Sequence, residues 1–247
     1  MAAFKGETEP ELQEEVDVLE WFRVGQLGRM IKFFRSEGVE ECVMVGQISP
    51  SRLFDLRPDL RLITLLARLK ERNAESLFGA IATELGREEI TVLPSTTFLE
   101  DCLPGPGPVF GPELNDSGLE DAVFGMRIAK EVSGLDIGQS VVVREGTVLA
   151  VEAFEGTNQC VQRGGELGKG KHAKLIKVSK PGQDLRFDVP VVGPHTIRAC
   201  QEAGVSAVII EAGQTLLLGM EEMKGLCEQH RISLHAMDAG DPGAGAC

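Results

Sequence analysis

A stretch rich in proline and glycine, residues 103–112 (LPGPGPVFGP), divides the sequence into two parts. Four of its ten residues are proline and three are glycine. Proline has no backbone N–H and fixes φ, so this stretch cannot form a helix or a central strand. We expect it to be a linker, with a domain boundary near residue 112. The sequence therefore predicts one domain at residues 1–112 and a second at residues 113–237.

Apolar residues recur at helical spacing in some segments and form short uninterrupted runs in others. The helical spacing predicts helices at residues 27–37, 60–69, 74–85, 119–132, 194–203 and 220–230. The short runs predict strands at residues 42–45, 90–93, 140–143, 147–152, 174–178, 207–210, 215–218 and 233–236. Residues 144–146 are typical of a tight hairpin turn. We expect two small α/β domains, with helices covering a parallel sheet in the first and a mixed sheet in the second.

The charge and the cysteines limit the classes of function. The net charge is −13, from 25 basic and 38 acidic residues, which disfavours binding to a nucleic-acid backbone. The six cysteines form no metal-binding spacing, so we expect reduced thiols, several of them in the core. No apolar run is long enough to span a membrane, and no signal peptide is recognisable, so we expect a cytoplasmic protein. Residues 238–247 are rich in Gly and Ala and predict a disordered tail.

The first polar motif, residues 152–158 (EAFEGTN), follows a predicted strand. In α/β proteins the loops beyond strand ends collect ligands. Glu155 supplies a carboxylate, and Thr157 supplies a hydroxyl that can bond phosphate oxygens. The alternative is a polar turn in which Thr157 caps a following helix, which predicts a helix over residues 158–162.

The second motif is a series of lysines with no acid between Glu166 and Asp184. Its members are Lys169, Lys171, Lys174, Lys177 and Lys180. They would form an electropositive path for a phosphate, or else a solvated loop and a protected strand edge. Because side chains alternate along a strand, Lys174 and Lys177 should face opposite sides of the sheet.

The third motif, residues 180–196, is dense in Pro, Gly and charge and predicts a structured loop. Asp184 and Asp188 offer two hard oxygen ligands for a divalent cation. Arg186 is suited to a phosphate, and a helix that begins near His195 would attract anions at its N-terminus. The alternative is a turn-rich connection in which the aspartates accept hydrogen bonds from turn amides.

Together these segments resemble the UDP-2,3-diacylglucosamine pyrophosphatases of the LpxI type. The similar stretches occur in order along nearly the whole chain: residues 24–28 (VGQLG), 53–59 (LFDLRPD), 135–139 (LDIGQ), 151–157 (VEAFEGT), 180–193 (KPGQDLRFDVPVVG) and 210–215 (IEAGQT). The resemblance implies hydrolysis of a UDP-linked diacylated glucosamine in lipid A biosynthesis. Water would attack the α-phosphorus, with Mg²⁺ (or Mn²⁺) as the cofactor.

The resemblance also implies roles for the motif residues. Asp184 and Asp188 would hold the metal, and Asp188, Asp184 and Glu155 would be catalytic. The substrate-binding residues would be Thr157, Lys177, Lys180, Gln183, Arg186 and Gln139. The implied partners are the UDP-linked acylated glucosamine and, transiently, the inner membrane, where the protein would lie peripherally. We expect a homodimer.

Two departures from the family pattern are visible. The family's first strand and Gly-rich turn precede the segment that matches Phe4–Gly6, so we expect a Rossmann-like N-terminal domain that lacks its first strand. Asn158 stands where family members carry an Asp, which implies weaker cation binding. These departures leave open a non-catalytic relative that binds nucleotides or lipid-linked sugars. A dinucleotide-dependent oxidoreductase is disfavoured because the sequence contains no GxGxxG.

Overall fold

We analysed a computed structural model of the chain, which describes residues 1–46, 48, 58–70, 73–170 and 172–240. The backbone contacts divide the chain into two compact units. The first contains the described residues of Met1–Thr97 together with Asp184–Asp188, and the second contains Phe98–Gln183 and the described chain from Val189 onward. Residues 98–112, which the sequence pattern placed in the first domain, are therefore grouped with the second unit.

The described residues of the first unit form two parallel strand pairs, three α-helices and a 3-10 helix (Pro10–Glu15). Strand β1 (Ala2–Phe4) pairs with β2 (Glu20–Phe22), and β3 (Glu41–Val43) pairs with β4 (Thr91–Leu93). The helices are α1 (Leu27–Ser36), α2 (Leu60–Leu66) and α3 (Ala74–Gly86). Apolar side chains from all three helices and from β4 form its core: Leu27, Ile31, Leu62, Leu65, Ala82, Leu85, Ile90 and Val92.

Strands β1 and β2 were not among the strands predicted from the sequence. The sequence pattern placed no strand before Gly6, yet Ala2–Phe4 pairs in parallel with Glu20–Phe22. Each of these strands has only three residues, which is too short for a periodic signal. The parallel β3–β4 pair between helices was expected, and the structure confirms it.

The second unit is built on a six-stranded mixed sheet with the strand order β5-β12-β10-β8-β6-β7. Its strands are β5 (Gly107–Phe110), β6 (Ser140–Arg144), β7 (Thr147–Val151), β8 (Ala173–Lys177), β10 (Val205–Glu211) and β12 (Ser233–Met237). A separate parallel pair joins β9 (Val191–Val192) to β11 (Leu216–Leu217). The mixed sheet expected for the second part of the chain is confirmed.

Four of the six strands run in the same direction. Strands β8, β10 and β12 pair in parallel, while β6 lies antiparallel to both β8 and β7. The carboxyl ends of β7, β8, β10 and β12 therefore meet at one edge of the sheet, where β6 begins. We call this the carboxyl edge.

Helices cover both faces of this sheet. Helix α4 (Asp116–Gly134) packs on one face, against Val141, Val143, Ile176 and Ile209. Helices α5 (Thr157–Leu167), α6 (Pro194–Ala203) and α7 (Met220–His230) pack on the other. Each of these three contributes a buried cysteine: Cys160, Cys200 and Cys227. Burial raises the pKa of Cys160 to about 12, which suits a core residue rather than a nucleophile.

The Pro/Gly-rich segment is not a free linker. Its residues Gly107–Phe110 form β5, which pairs antiparallel with β12 at the end of the sheet. The prediction that the segment cannot be a central strand is confirmed, because among the described strands β5 has a neighbour, β12, on one side only. The expectation of a linker is wrong here, since three prolines in residues 103–110 still allow pairing at a sheet edge.

Some expectations lie outside the described residues: the motif at 53–57, Lys171, and the tail from residue 241 to 247. In the described part of the chain, no helix is both long enough and apolar enough to span a membrane.

Candidate active site

Polar side chains of the second unit gather at the carboxyl edge. Glu152 directly follows β7, Lys177 ends β8, and Glu211 ends β10. Ser140 begins the antiparallel strand β6 and lies opposite Lys177 in the ladder. The mixed topology thus brings together charges that are far apart in sequence, at the place where α/β sheets bind ligands.

Thr157 connects a lysine to a carboxylate at this edge. Lys177 Nζ donates to Thr157 Oγ1 at 2.9 Å, and Thr157 Oγ1 donates to Glu152 Oε1 at 2.9 Å. The second oxygen of Glu152, Oε2, is buried and has no hydrogen-bond partner among the described residues. Of the two carboxylates in this motif, Glu152 rather than Glu155 is the one joined to the lysine.

The alternative interpretation of Thr157 was half right. A helix does follow, since α5 begins at Thr157, but Gly156 occupies the N-cap position with φ of 85°. The Thr157 hydroxyl bonds to Glu152 instead of capping the helix. The first amides of α5 therefore receive no side-chain cap from the described residues, and such amides suit an anion.

Glu155 is held by its own local structure. Its carboxylate accepts hydrogen bonds from the Ala153 amide at 3.1 Å and from the guanidinium of Arg163 on α5. Its own backbone amide, Arg163 and the Ala153 amide lower the pKa of Glu155, although desolvation opposes them. A lowered pKa makes a weaker base. Its catalytic role stays a prediction.

Lys180, Gln183 and Gln139 lie around the loop that follows β8. Lys180 Nζ donates to Asp136 Oδ1 at 2.8 Å, and the Lys180 amide donates to Gln183 Oε1 at 2.7 Å. The Gln139 carbonyl accepts from the Val178 amide at 2.9 Å. A cavity of about 110 Å³ lies here, and its lining includes Gln139 and Lys180.

The lysine series does not form a single path. Lys174 is buried on the α4 side of the sheet, and its Nζ lies 2.7 Å from Asp121 Oδ2. Lys177 faces α5 through Thr157, so the predicted alternation of these two lysines across the sheet is confirmed. Lys169 follows the C-terminal end of α5, near the start of β8, and is exposed. Of the lysines in the described series, Lys177 and Lys180 remain near the carboxyl edge.

Asp184, Arg186 and Asp188 belong to the first unit by their contacts. Asp184 binds the Arg186 guanidinium, with Nε–Oδ1 at 2.9 Å and Nη2–Oδ2 at 2.6 Å. Asp184 Oδ1 also accepts from the Arg186 amide at 3.1 Å, as the turn alternative predicted. The Asp188 amide donates to the Asp184 carbonyl at 3.0 Å. Arg186 lowers the pKa of Asp184.

Contacts with the rest of the first unit fix this segment. The Ser95 amide donates to the Leu185 carbonyl at 2.8 Å, and Ser95 Oγ donates to the Arg186 carbonyl at 2.8 Å. The rings of Phe187 and Phe78 lie 5.9 Å apart between centroids. The segment is therefore a structured loop, as predicted.

The donor set fits a divalent cation only in part. The described residues contain no cluster of three or more His, Cys, Asp or Glu side chains suited to a metal. Both oxygens of Asp184 are engaged by Arg186. Mg²⁺, however, is commonly held by one or two carboxylates together with waters and substrate phosphates. Asp188 and Asp184 supply the right donor type, but the described protein atoms form no closed cage.

Several residues at the carboxyl edge were missing from our sequence-based list. Glu152 lies in the first motif, but the sequence pattern favoured Glu155, and only the side-chain partners distinguish the two. Glu211 lies in one of the stretches that carry the family resemblance. Lys130, which binds Glu211 from the C-terminal part of α4, gives no signal in the sequence.

The fold and the site define a two-unit α/β protein with lysine, hydroxyl and carboxylate groups at the carboxyl edge of a mixed sheet. Two family models match it: the LpxI N-terminal domain over residues 1–102 and the LpxI C-terminal domain over residues 105–235. The chain belongs to the LpxI family. It is 28% identical over 208 residues to the UDP-2,3-diacylglucosamine pyrophosphatase LpxI of Caulobacter vibrioides, a match that covers 80% of this chain and 74% of that protein.

Proposed function

We propose that the protein hydrolyses UDP-2,3-diacylglucosamine to UMP and 2,3-diacylglucosamine 1-phosphate in lipid A biosynthesis. The observation that carries this proposal is the hydrogen-bonded series Lys177–Thr157–Glu152 at the carboxyl edge. The comparison with known proteins also supports it, because the Caulobacter relative is named as a UDP-2,3-diacylglucosamine pyrophosphatase.

The carboxyl edge is suited to a pyrophosphate. Lys177 and Lys180 bring positive charge, and α5 presents its first amides beside Thr157. Ammonium groups and helix N-termini both stabilise phosphate oxygens. We assign phosphate binding to Lys177, Lys180 and Thr157, with Gln139 and Gln183 as further substrate-binding residues. Thr157 would donate to a phosphate oxygen in place of Glu152.

The reaction needs a water molecule directed at the α-phosphorus. The water oxygen bonds to this phosphorus, and the bridging oxygen leaves with the phosphate of the acylated sugar. We assign the orientation and deprotonation of the water to Asp188, with Asp184 and Glu155 in supporting roles, and phosphate binding to Arg186. Glu155 is the weaker choice for a base because its pKa is lowered.

We include Mg²⁺ (or Mn²⁺) in the proposal. Asp188 and Asp184 would hold the ion together with substrate oxygens. Asp184 would then replace part of its hydrogen bonding to Arg186 with coordination of the ion. The ion would neutralise charge that develops on the phosphates. Isothermal titration of the protein with Mg²⁺, with and without UDP, tests this independently of turnover. Equal heats for the wild type and for Asp188→Ala would contradict the assignment.

The activity is tested by UMP release from UDP-2,3-diacylglucosamine, with and without EDTA. We expect release by the wild type and a loss of at least about 100-fold in Asp188→Asn, the range of a lost general base. Glu221→Gln, on the exposed start of α7, is the matched control and should retain activity. If a folded wild type is stabilised by UDP but releases no UMP, the alternative of a non-catalytic binding relative is correct.

Partners and location also belong to the proposal. We propose a homodimer in the cytoplasm that lies peripherally at the inner membrane while it takes up its acylated substrate. Light scattering behind a sizing column gives the assembly state. Sedimentation with vesicles of phosphatidylethanolamine and phosphatidylglycerol tests the membrane contact.

A further inference from the structure

From the carboxyl edge of the second unit we infer that Lys130 and Glu211 are positioning residues for the reaction. They fix the loop that follows β8, residues 178–183, and so hold Lys177 and Lys180 in place. This inference rests on the proposed function for its activity test, but it is argued from the hydrogen bonds of a single residue, Ser179.

Every polar group of Ser179 is engaged by this pair. Glu211 Oε2 accepts from the Ser179 amide at 2.7 Å and from the Ser179 hydroxyl at 2.7 Å. Lys130 Nζ donates to the Ser179 carbonyl at 2.9 Å and to both oxygens of Glu211 at 3.1 Å. Ser179 and Glu211 are buried, at 5% and 7% exposure.

This loop contains one proposed phosphate ligand, Lys180, and directly follows another, Lys177, the last residue of β8. Ser179 lies between Lys177 and Lys180, and its neighbour Val178 is bonded through its amide to the Gln139 carbonyl. The Gln183 amide donates to the Lys180 carbonyl at 3.1 Å and so closes the turn from Lys180 to Gln183. A shift at Ser179 would therefore displace Lys177, Lys180 and Gln183 together.

Thermodynamics alone does not explain such a pair. Glu211 is buried and the Lys130 side chain is 20% exposed. Removing such charges from water costs free energy, and well-packed apolar residues of similar volume often serve stability as well or better. A Lys–Glu pair that bonds the amide, carbonyl and hydroxyl of one loop residue gives directional constraint, which apolar packing lacks. The pair is thus suited to fix geometry, and misplacement by about 1 Å can cost about 100-fold in rate.

The second unit contains a matched control. Lys174 and Asp121 form a second lysine–carboxylate pair between α4 and the sheet, and both residues are buried. Asp121 also accepts from the Glu145 and Gly146 amides of the β6–β7 turn. That turn lies at the opposite edge of the sheet. The two apolar double variants to compare are Lys130→Met/Glu211→Leu and Lys174→Met/Asp121→Leu.

The first measurement is UMP release per folded protein, with the Tm of each variant. We expect Lys130→Met/Glu211→Leu to lose about 10- to 100-fold, mainly in kcat, since misplaced groups affect the transition state most. The Lys174→Met/Asp121→Leu control should stay within about threefold. Lys130→Arg, which keeps the charge and the donors, should retain more activity than Lys130→Met. Equal retention of activity by both double variants would overturn the inference.

The second measurement does not depend on turnover. In hydrogen–deuterium exchange, amides of residues 178–183 should lose protection in Lys130→Met/Glu211→Leu, while those of β10 and β12 keep it. Unchanged protection of 178–183 would overturn the inference. If the wild type releases no UMP but the loop loses protection in this variant, the proposed function fails and the positioning of the loop stands.

Discussion

The Nζ of Lys174 lies 2.7 Å from Oδ2 of Asp121, and the two side chains are 9% and 4% exposed. This lysine belongs to a series that the sequence suggested for phosphate binding, yet its partner is structural. The pair ties α4 to β8, and Asp121 also secures the amides of the β6–β7 turn.

Asp121→Asn should destabilise the protein by about 3–5 kcal/mol, because it leaves the Lys174 charge buried without a counterion. The pKa of Asp121 is lowered in the fold: burial opposes this, but Lys174 and the two turn amides outweigh it. The carboxylate therefore contributes stability above its unfolded pKa of about 4, and that contribution is lost as the pH falls through the lower folded pKa. Urea unfolding of the wild type and of Asp121→Asn should give free energies of unfolding whose difference becomes smaller at acidic pH. A difference independent of pH from 7 to 2 would contradict this.

Thr157→Val should reduce kcat/KM by about tenfold or more, because it removes the hydroxyl that joins Lys177 to Glu152 while keeping the shape of the side chain. Its effect on stability should be about 1 kcal/mol, since the two hydrogen bonds that it removes are only partly buried. Thr157→Ser keeps the hydroxyl and is the control. UMP-release kinetics and thermal unfolding check both, and equal activities for the two variants would show that the hydroxyl is dispensable.

Glu152→Gln should cost more activity than Glu155→Gln. Glu152 is linked to Lys177 through Thr157, whereas Glu155 is bound by Arg163 and a neighbouring amide. We expect a loss of about tenfold or more for Glu152→Gln and a smaller loss for Glu155→Gln. The two isosteric variants are compared in the same assay, and the reverse order would restore Glu155 as the main carboxylate of this motif.

Gly138→Ala should lower both activity and stability, because a Cβ at this position would lie 2.1 Å from the Glu152 carbonyl oxygen. That oxygen and the carbonyl carbon at 2.7 Å are backbone atoms, so the strand end that carries Glu152 would have to move. Gly105→Ala is the control, since the space around its Cβ is open. Kinetics and melting curves that are the same for both variants would contradict this account.

The sequence predicted elements well where local chemistry marks their ends. Helix α6 begins at Pro194 and ends before Gly204, which has φ of 70°, and both signals are visible in the sequence. The β6–β7 hairpin follows from Gly146 between two apolar runs. By contrast, β1 and β2 have three residues each, and their pairing depends on contacts across the fold.

The site shows a similar division. Strand alternation correctly separated Lys174 from Lys177, because it is a property of the backbone alone. The choice between Glu152 and Glu155 depends on which one Thr157 reaches across the turn, and the partnership of Lys130 with Glu211 joins a helix to a strand far along the chain. Such pairings are set by tertiary packing, which spacing in one sequence does not encode.

Strand β5 has a consequence for how the sheet meets other chains. An edge strand exposes unpaired amides and carbonyls, which can pair with a strand of another chain. Natural sheets protect such edges against aggregation. Here Pro108, exposed in the middle of β5 and preceded by Pro106 and Pro104, has no N–H to offer. The segment at residues 103–112, which the sequence predicted to be a linker, therefore ends the sheet and hinders its pairing with strands of other chains.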